Sequence, residues 1–331
     1  ELEEQIDSAR RRLIFDELLM LQLGVMMKRF HRRTHLHASA LPLTSDVIER
    51  INARIPFTPT NAQQRVMAEI GHDLTKSIPM NRLLQGDVGS GKTIVALAAM
   101  LQAVAHGRQA VLIAPTELLA EQHERTLRQF LMNAPLRMEL LTGSLGISAR
   151  RELVKDIADG SVDILIGTHA VLTSDVMFQD LAVAVTDEQH RFGVRQRAAL
   201  RDKAADDTRS PHQLVMTATP IPRTLSLTIF GDLDVSVIDE LPPGRTPVAT
   251  STVGRAAAEG IYEDIATRVR DGERAFIVVP VIDESELGLT DLRSHVEMLA
   301  NGPLRTCRLE AMHGRLDQVE RDDVMDRFRS G

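Results

Sequence analysis

The sequence predicts an α/β protein: a parallel sheet with helices on both faces, preceded by a long helix and followed by a second, shorter α/β unit. Three observations carry this. Short apolar runs alternate with helical segments between residues 82 and 218. A glycine-rich turn, GDVGSGKT at residues 86 to 93, joins one such run directly to a helical pattern. A proline-rich break, ELPPGRTP at residues 240 to 247, is followed by a fresh alternation. Strands that alternate with helices favour a parallel sheet, because each helical crossover returns the chain to the same edge.

Taken in order, residues 1 to 30 place Leu2, Ile6, Leu13, Leu18, Leu21 and Val25 at helical spacing, which reads as one long amphipathic helix. Asp46 is a candidate cap for a second helix through Ile55, and Thr60 for a third through about Thr75. Six strands follow in RLLQ, AVLIAP, RMELLTG, VDILIG, LAVAVTD and HQLVMTA, then a strand-like DVSVID. Beyond the proline-rich linker, RAFIVVPVID and LRTCRLEAMHG read as two strands, and Asp317 with Glu320 has capping-box spacing for a last helix. The expected organisation is a helical lead-in (residues 1–55), a first α/β domain (56–239), a linker (240–250) and an incomplete second domain (251–331). The chain starts at Glu1 rather than Met and stops at Ser330-Gly331 just after a helical pattern, so a piece of a longer protein is expected.

Composition narrows the class. The chain is 43% hydrophobic and 26% charged, with no apolar stretch near the roughly 18 residues of a membrane span. Its start is acidic and then basic, unlike a secretory signal. Cys307 is the only cysteine, which excludes an internal disulfide and a cysteine metal cluster and fits a reducing cytoplasm. A net charge of -7 neither suggests nor forbids a nucleic-acid partner. Two local basic runs, Arg10 to Arg12 and Lys28, Arg29, Arg32 and Arg33 with His31, His35 and His37 interleaved, read first as solvated helix faces. Without Trp and with one Tyr, the chain has few platforms for stacking bases, so any nucleic-acid contact is expected mostly at the backbone.

GDVGSGKT matches G-x-x-x-x-G-K-[ST] between a strand and a helix, the context that a phosphate-binding loop requires. Gly86, Gly89 and Gly91 let the backbone curl with its N–H groups inward, and the helix N-terminus adds partial positive charge. Lys92 is then expected to reach the β and γ phosphates, and Thr93 to offer its hydroxyl to Mg²⁺. The cofactor-binding segment is therefore Gly86, Asp87, Val88, Gly89, Ser90, Gly91, Lys92 and Thr93. In TDEQHRFG, two carboxylates follow the apolar run LAVAV. Asp187 is placed to deliver a carboxylate to the metal, and Glu188 to orient and deprotonate a water. A zinc site is excluded, since DEQH lacks the paired histidines of H-E-x-x-H.

Read together and in order, GDVGSGKT, APTELLAEQH, GTHA, DEQHRFGV, TATPIPRTL and IDELPPGRTPV resemble the RecG family of bacterial branched-DNA helicases, superfamily 2 translocases, over essentially the whole chain. The related transcription-repair coupling translocases share TATPIPRTL but differ at Ser90, Gln189-His190 and residues 240 to 248. The resemblance implies tandem RecA-like sheets, ATP with Mg²⁺, Gln63 on the adenine, and Pro115, Thr116, Glu117, Gly167, Thr168 and His169 on the DNA backbone. It further implies that Gln189, His190, Thr217 and Thr219 couple nucleotide to DNA; on the residues alone, the two hydroxyls of this strand-end turn could bond Asp187 or His190, and a plain turn would look the same. Arg223 and Arg245 are weaker candidates for DNA or nucleotide contact. The implied function is an ATP-driven monomeric motor that remodels branched DNA such as stalled forks and Holliday junctions in repair and recombination. The family's arginine finger and amino-terminal wedge domain fall outside this chain, so the piece alone is expected to bind Mg·ATP and hydrolyse it weakly. A nucleotide-switched binding module without translocation is the alternative; a small-molecule kinase would not explain TATPIPRTL.

Overall fold

The computed structural model describes residues 2–55, 57–132, 134–188, 203, 209–219, 233–240, 248–254, 257–280, 291–316 and 318–330. The chain divides into two compact units, residues 1–245 and 246–331.

The first unit opens with α1 (Leu2–His35), α2 (Ser45–Asn52) and α3 (Asn61–Leu74). Then β1 (Asn81–Gly86), α4 (Lys92–Val104), β2 (Gln109–Ile113), α5 (Glu117–Phe130), β3 (Met138–Leu141), α6 (Ile147–Ala158), β4 (Ile164–Gly167), β5 (Leu181–Asp187), β6 (His212–Thr217) and β7 (Asp234–Ile238) build one sheet with its helices. All its pairings are parallel, in the order β3-β4-β2-β5-β6-β1-β7. This is the RecA-like arrangement expected, with all six anticipated strands present and DVSVI added as the edge.

The sheet's two faces explain the composition of its strands. Along β2, Ala110 and Leu112 pack into one core with α3 and α4, while Val111 and Ile113 pack into a second core with α6. Alternate side chains point to opposite faces, so a strand covered on both sides must be apolar throughout. The same logic applies to α4, which is buried from Ile94 to Ala103 and is correspondingly apolar all round. Because every strand is parallel, the C-terminal ends of β1, β2, β4, β5 and β6 share one edge, and β6 alone lies between β1 and β5. Their tips are thus two strand spacings apart, about 10 Å.

A buried histidine is among the contacts that pin the lead-in to this sheet. His212, fully buried at the start of β6, accepts at Nδ1 from Met80 N (3.0 Å) and donates from Nε2 to Ser39 O (3.0 Å). Both ring nitrogens are used in the neutral form, and burial accordingly holds the imidazole below its ordinary pKa, opposed by the Ser39 bond and the charge of Asp73. On the other flank, Arg82 of β1 bonds Asp73 of α3 (2.7 Å) and Ser236 Oγ of β7 (2.8 Å), tying helix to edge strand.

Three details differ from expectation. Thr44, not Asp46, caps α2, which ends at Asn52; Asp46 lies in the first turn and pairs with Arg50. The helix α1 forms, but Ile6, Leu13, Leu18 and Leu21 are exposed rather than packed. The second unit contains α7 (Ala258–Arg270), α8 (Leu292–Asn301, capped by Asp291 on Ser294 N) and α9 (Gln318–Ser330), with a small core of Ala266 from α7, Leu299 from α8 and Leu304. Among the described residues the anticipated RAFIVVP and LRTCRLEAMHG strands form no ladder, the latter beginning in a turn closed by Cys307 N on Leu304 O (2.9 Å), and Phe276 and Val278 are 70% and 90% exposed. A strand exists through its neighbour's hydrogen bonds, and these segments have no such partner there. Asp317, the anticipated cap of α9, lies outside the described residues.

Candidate functional site

The loop between β1 and α4 is shaped by close approach. An added Cβ at Gly86 would lie 2.5 Å from Ser90 Oγ, and one at Gly91, already at φ 89°, would lie 2.2 Å from Gln63 Nε2. The left-handed backbone at Gly91 favours glycine, and a side chain at Gly86 would have to displace the Ser90 hydroxyl. Gln63 itself is 1% exposed; its Oε1 accepts from Thr60 N (2.9 Å) and its Nε2 donates to Ser90 O (2.7 Å). The residue expected at the adenine is therefore a buried brace between the cap of α3 and the loop. Asp87 Oδ1 accepts from Val88 N (2.7 Å) and stiffens the exposed side of the turn. The Ser90 hydroxyl is buried with no hydrogen-bond partner.

Lys92 Nζ spans the loop, donating to Gly86 O (2.8 Å) and Asp87 O (2.9 Å). Burial lowers its pKa, while the charges of Asp187, Glu188 and Asp87 oppose that, so the β5 carboxylates lie within electrostatic reach of this ammonium. Thr93 follows in the first turn of α4, partly exposed.

At the tip of β5, Asp187 Oδ2 bonds His123 Nε2 of α5 (2.8 Å). Glu188 adopts φ 49°, the left-handed region, where a residue with a Cβ is strained by about 1–2 kcal/mol. Three bonds hold it there. Its N–H donates to Met216 O (3.0 Å), its Oε1 accepts from Ala218 N (3.0 Å) and its Oε2 accepts a longer bond from Thr217 Oγ1 (3.4 Å). Thr217 Oγ1 also accepts from Thr219 N (3.1 Å). The β6 turn thus grips Glu188 rather than Asp187, one of the two partners anticipated for its hydroxyls; the other, His190, lies outside the described residues, as do Gln189, Arg223 and Arg245.

The tips of β2 and β4 are joined by Ala114 N donating to Gly167 O (2.8 Å). Pro115, Thr116 and Glu117 therefore lie beside Gly167, Thr168 and His169 on the edge that carries Lys92, Asp187 and Glu188. Several of these side chains have structural partners. Thr116 caps α5 at Leu119 N, Glu117 Oε1 accepts from Ser144 N (3.1 Å), and buried Thr168 accepts from Ala170 N (3.4 Å). His169 is exposed. Sequence reasoning missed two participants, His123 and the Ser144 turn. His123 stood inside APTELLAEQH, but a contact 64 residues long leaves no mark in local spacing.

Three comparisons agree with this architecture. The chain is 45% identical to the ATP-dependent DNA helicase RecG of Synechocystis sp. over 329 residues, covering 98% of this chain and 39% of the relative. It is 43% identical to that of Escherichia coli strain K12 over 334 residues, 100% of this chain and 48% of the relative. It thus spans less than half the length of either. A solved structure of RecG bound to a three-way DNA junction superposes with a TM-score of 0.80 at 38% identity, covering 98% of this chain and 42% of that one. Among the described residues no helix is long and apolar enough to cross a membrane. The sequence pattern of DEAD/DEAH box helicases matches residues 60–228, from the cap of α3 past the β6 turn, which is the stretch that carries the loop, the paired carboxylates and their brace. The chain belongs to the DEAD/DEAH box helicase family.

Proposed function

We propose that this chain is the ATP-driven motor portion of a cytoplasmic DNA translocase that remodels branched DNA in repair and recombination. The observation that carries it is the shared edge: Lys92 at β1, Asp187 and Glu188 at β5, and the Thr217–Ala218 turn of β6 between them. The RecG relatives act, by their names, as ATP-dependent DNA helicases, and one is bound to a three-way junction; the same substrates are inferred for this chain.

The donors suit a magnesium nucleotide. Mg²⁺ favours one or two carboxylates with substrate phosphates over an all-protein cage, and among the described residues no group of three or more acidic, His or Cys side chains forms such a cage. Thr93 and Asp187 would hold the ion, which neutralises charge on the phosphates when bound. The backbone of Gly86–Thr93 cradles the phosphates, and Lys92 exchanges its two carbonyl contacts for phosphate oxygens. Glu188 orients the attacking water and takes its proton on a carboxylate oxygen, and the two bonds from β6 aim the group. Pro115–Glu117 and Gly167–His169 would meet the DNA backbone.

Steady-state ATP hydrolysis by the full-length parent protein tests this, measured without DNA and with single strand, linear duplex and a three-way junction, using Lys92→Ala as control. Stimulation greatest on the junction and lost in the control is expected. If no DNA changes turnover, the translocase reading falls and a nucleotide-switched binding module replaces it.

A further inference from the structure

On the reading above, in which Asp187 is a metal carboxylate, we propose that His123 is its positioning residue. Nothing in the local pattern of α5 announces this role. His123 lies one turn from Ala120 and one from Leu127, both fully buried, so the three share the face that packs on the sheet. From that face its Nε2 reaches Asp187 Oδ2 at 2.8 Å, with the two side chains only 13% and 12% exposed. An ionised carboxylate can only accept, so Nε2 carries the hydrogen. The bond fixes which way the carboxylate faces before nucleotide arrives.

Such partners matter because a ligating carboxylate that must be ordered on binding loses part of its affinity to that ordering, whereas a held one does not. The donor also comes from a particular place. The helix that carries His123 begins at Thr116 and Glu117, and Glu117 is itself fastened to the Ser144 turn. His123 thus links the helix that starts at this strand-end segment to Asp187.

The test is equilibrium binding of a fluorescent N-methylanthraniloyl-ATP with and without Mg²⁺, on the wild type, His123→Leu, His123→Gln and Asp187→Asn. Removing the donor in His123→Leu is expected to reduce the Mg²⁺-dependent gain in affinity by about 10-fold or more, the usual effect of losing an outer-shell partner. Metal-free binding stays near wild type. His123→Gln, whose Nε2 has similar reach, restores most of the gain, which a loss of packing alone would not allow. Retention of the full gain in His123→Leu, or an equal loss with and without metal that Gln does not rescue, would overturn the proposal. Asp187→Asn separates the two readings. If it keeps the gain, the metal role of Asp187 fails and takes this inference with it; if it loses the gain while His123→Leu keeps it, only the role of His123 fails.

Discussion

Glu188 Oε1 accepts the backbone N–H of Ala218 at 3.0 Å, which locks the tip of β5 to the turn leaving β6. The bond needs an acceptor but not a charge. Glu188→Gln keeps an oxygen for Ala218 and removes the base, so single-turnover hydrolysis should fall by about 10²–10⁴ while nucleotide affinity holds. Comparable losses in both would mean that Glu188 only supports the loop.

Gln63 offers a test of how the loop is held. Its amide engages Thr60 and Ser90, so Gln63→Leu removes the partner of the buried Ser90 carbonyl and of the part-buried Thr60 N–H, a loss of about 1–3 kcal/mol. Because the damage falls on the phosphate loop, ATP and GTP should weaken by the same factor in competition binding. A loss confined to ATP would return Gln63 to the adenine.

His212 predicts a pH dependence of folding. Its folded pKa lies below the ordinary value of 6.5, so below pH 6.5 the unfolded chain binds a proton that the folded chain refuses. Stability is therefore full above that pH and falls as pH drops from 6.5 toward the folded value, by at most about 1.4 kcal/mol per unit. Urea titrations at pH 7.5 and 5.5 should show this in the wild type and a smaller difference in His212→Gln. An unchanged difference would assign the pH dependence to other groups.

How far the sequence speaks depends on whether the physics is local. LAVAV and AVLIA were legible as buried parallel strands because both faces are covered, and GDVGSGKT because its glycines answer to a backbone shape. Thr60 was legible as a cap, since the capping box with Gln63 lies within four residues. The start of α2 was not: Thr44, Ser45 and Asp46 all have capping side chains, and only the extended backbone of Thr44 chooses between them. Nor was the grip of Thr217 on Glu188 rather than Asp187, which depends on the left-handed turn at Glu188. The apolar spacing of α1 predicted a helix correctly but could not say whether its stripe is covered.

Two glycines separate steric need from chance. A Cβ at Gly167 would lie 2.4 Å from Leu141 O and 2.6 Å from Val171 Cγ2, so the tips of β3 and β4 must part to admit it. Gly167→Ala should therefore destabilise the chain by about 1–3 kcal/mol, as overpacking does. It should also weaken duplex binding, since Thr168 and His169 ride on that tip. At Gly24, inside α1, an added Cβ meets nothing within 4 Å. Gly24→Ala should stabilise by up to about 1 kcal/mol through helix propensity, with DNA and nucleotide affinity unchanged. Thermal unfolding and fluorescence anisotropy on a labelled duplex read both effects, and equal behaviour of the two variants would remove the steric argument for Gly167.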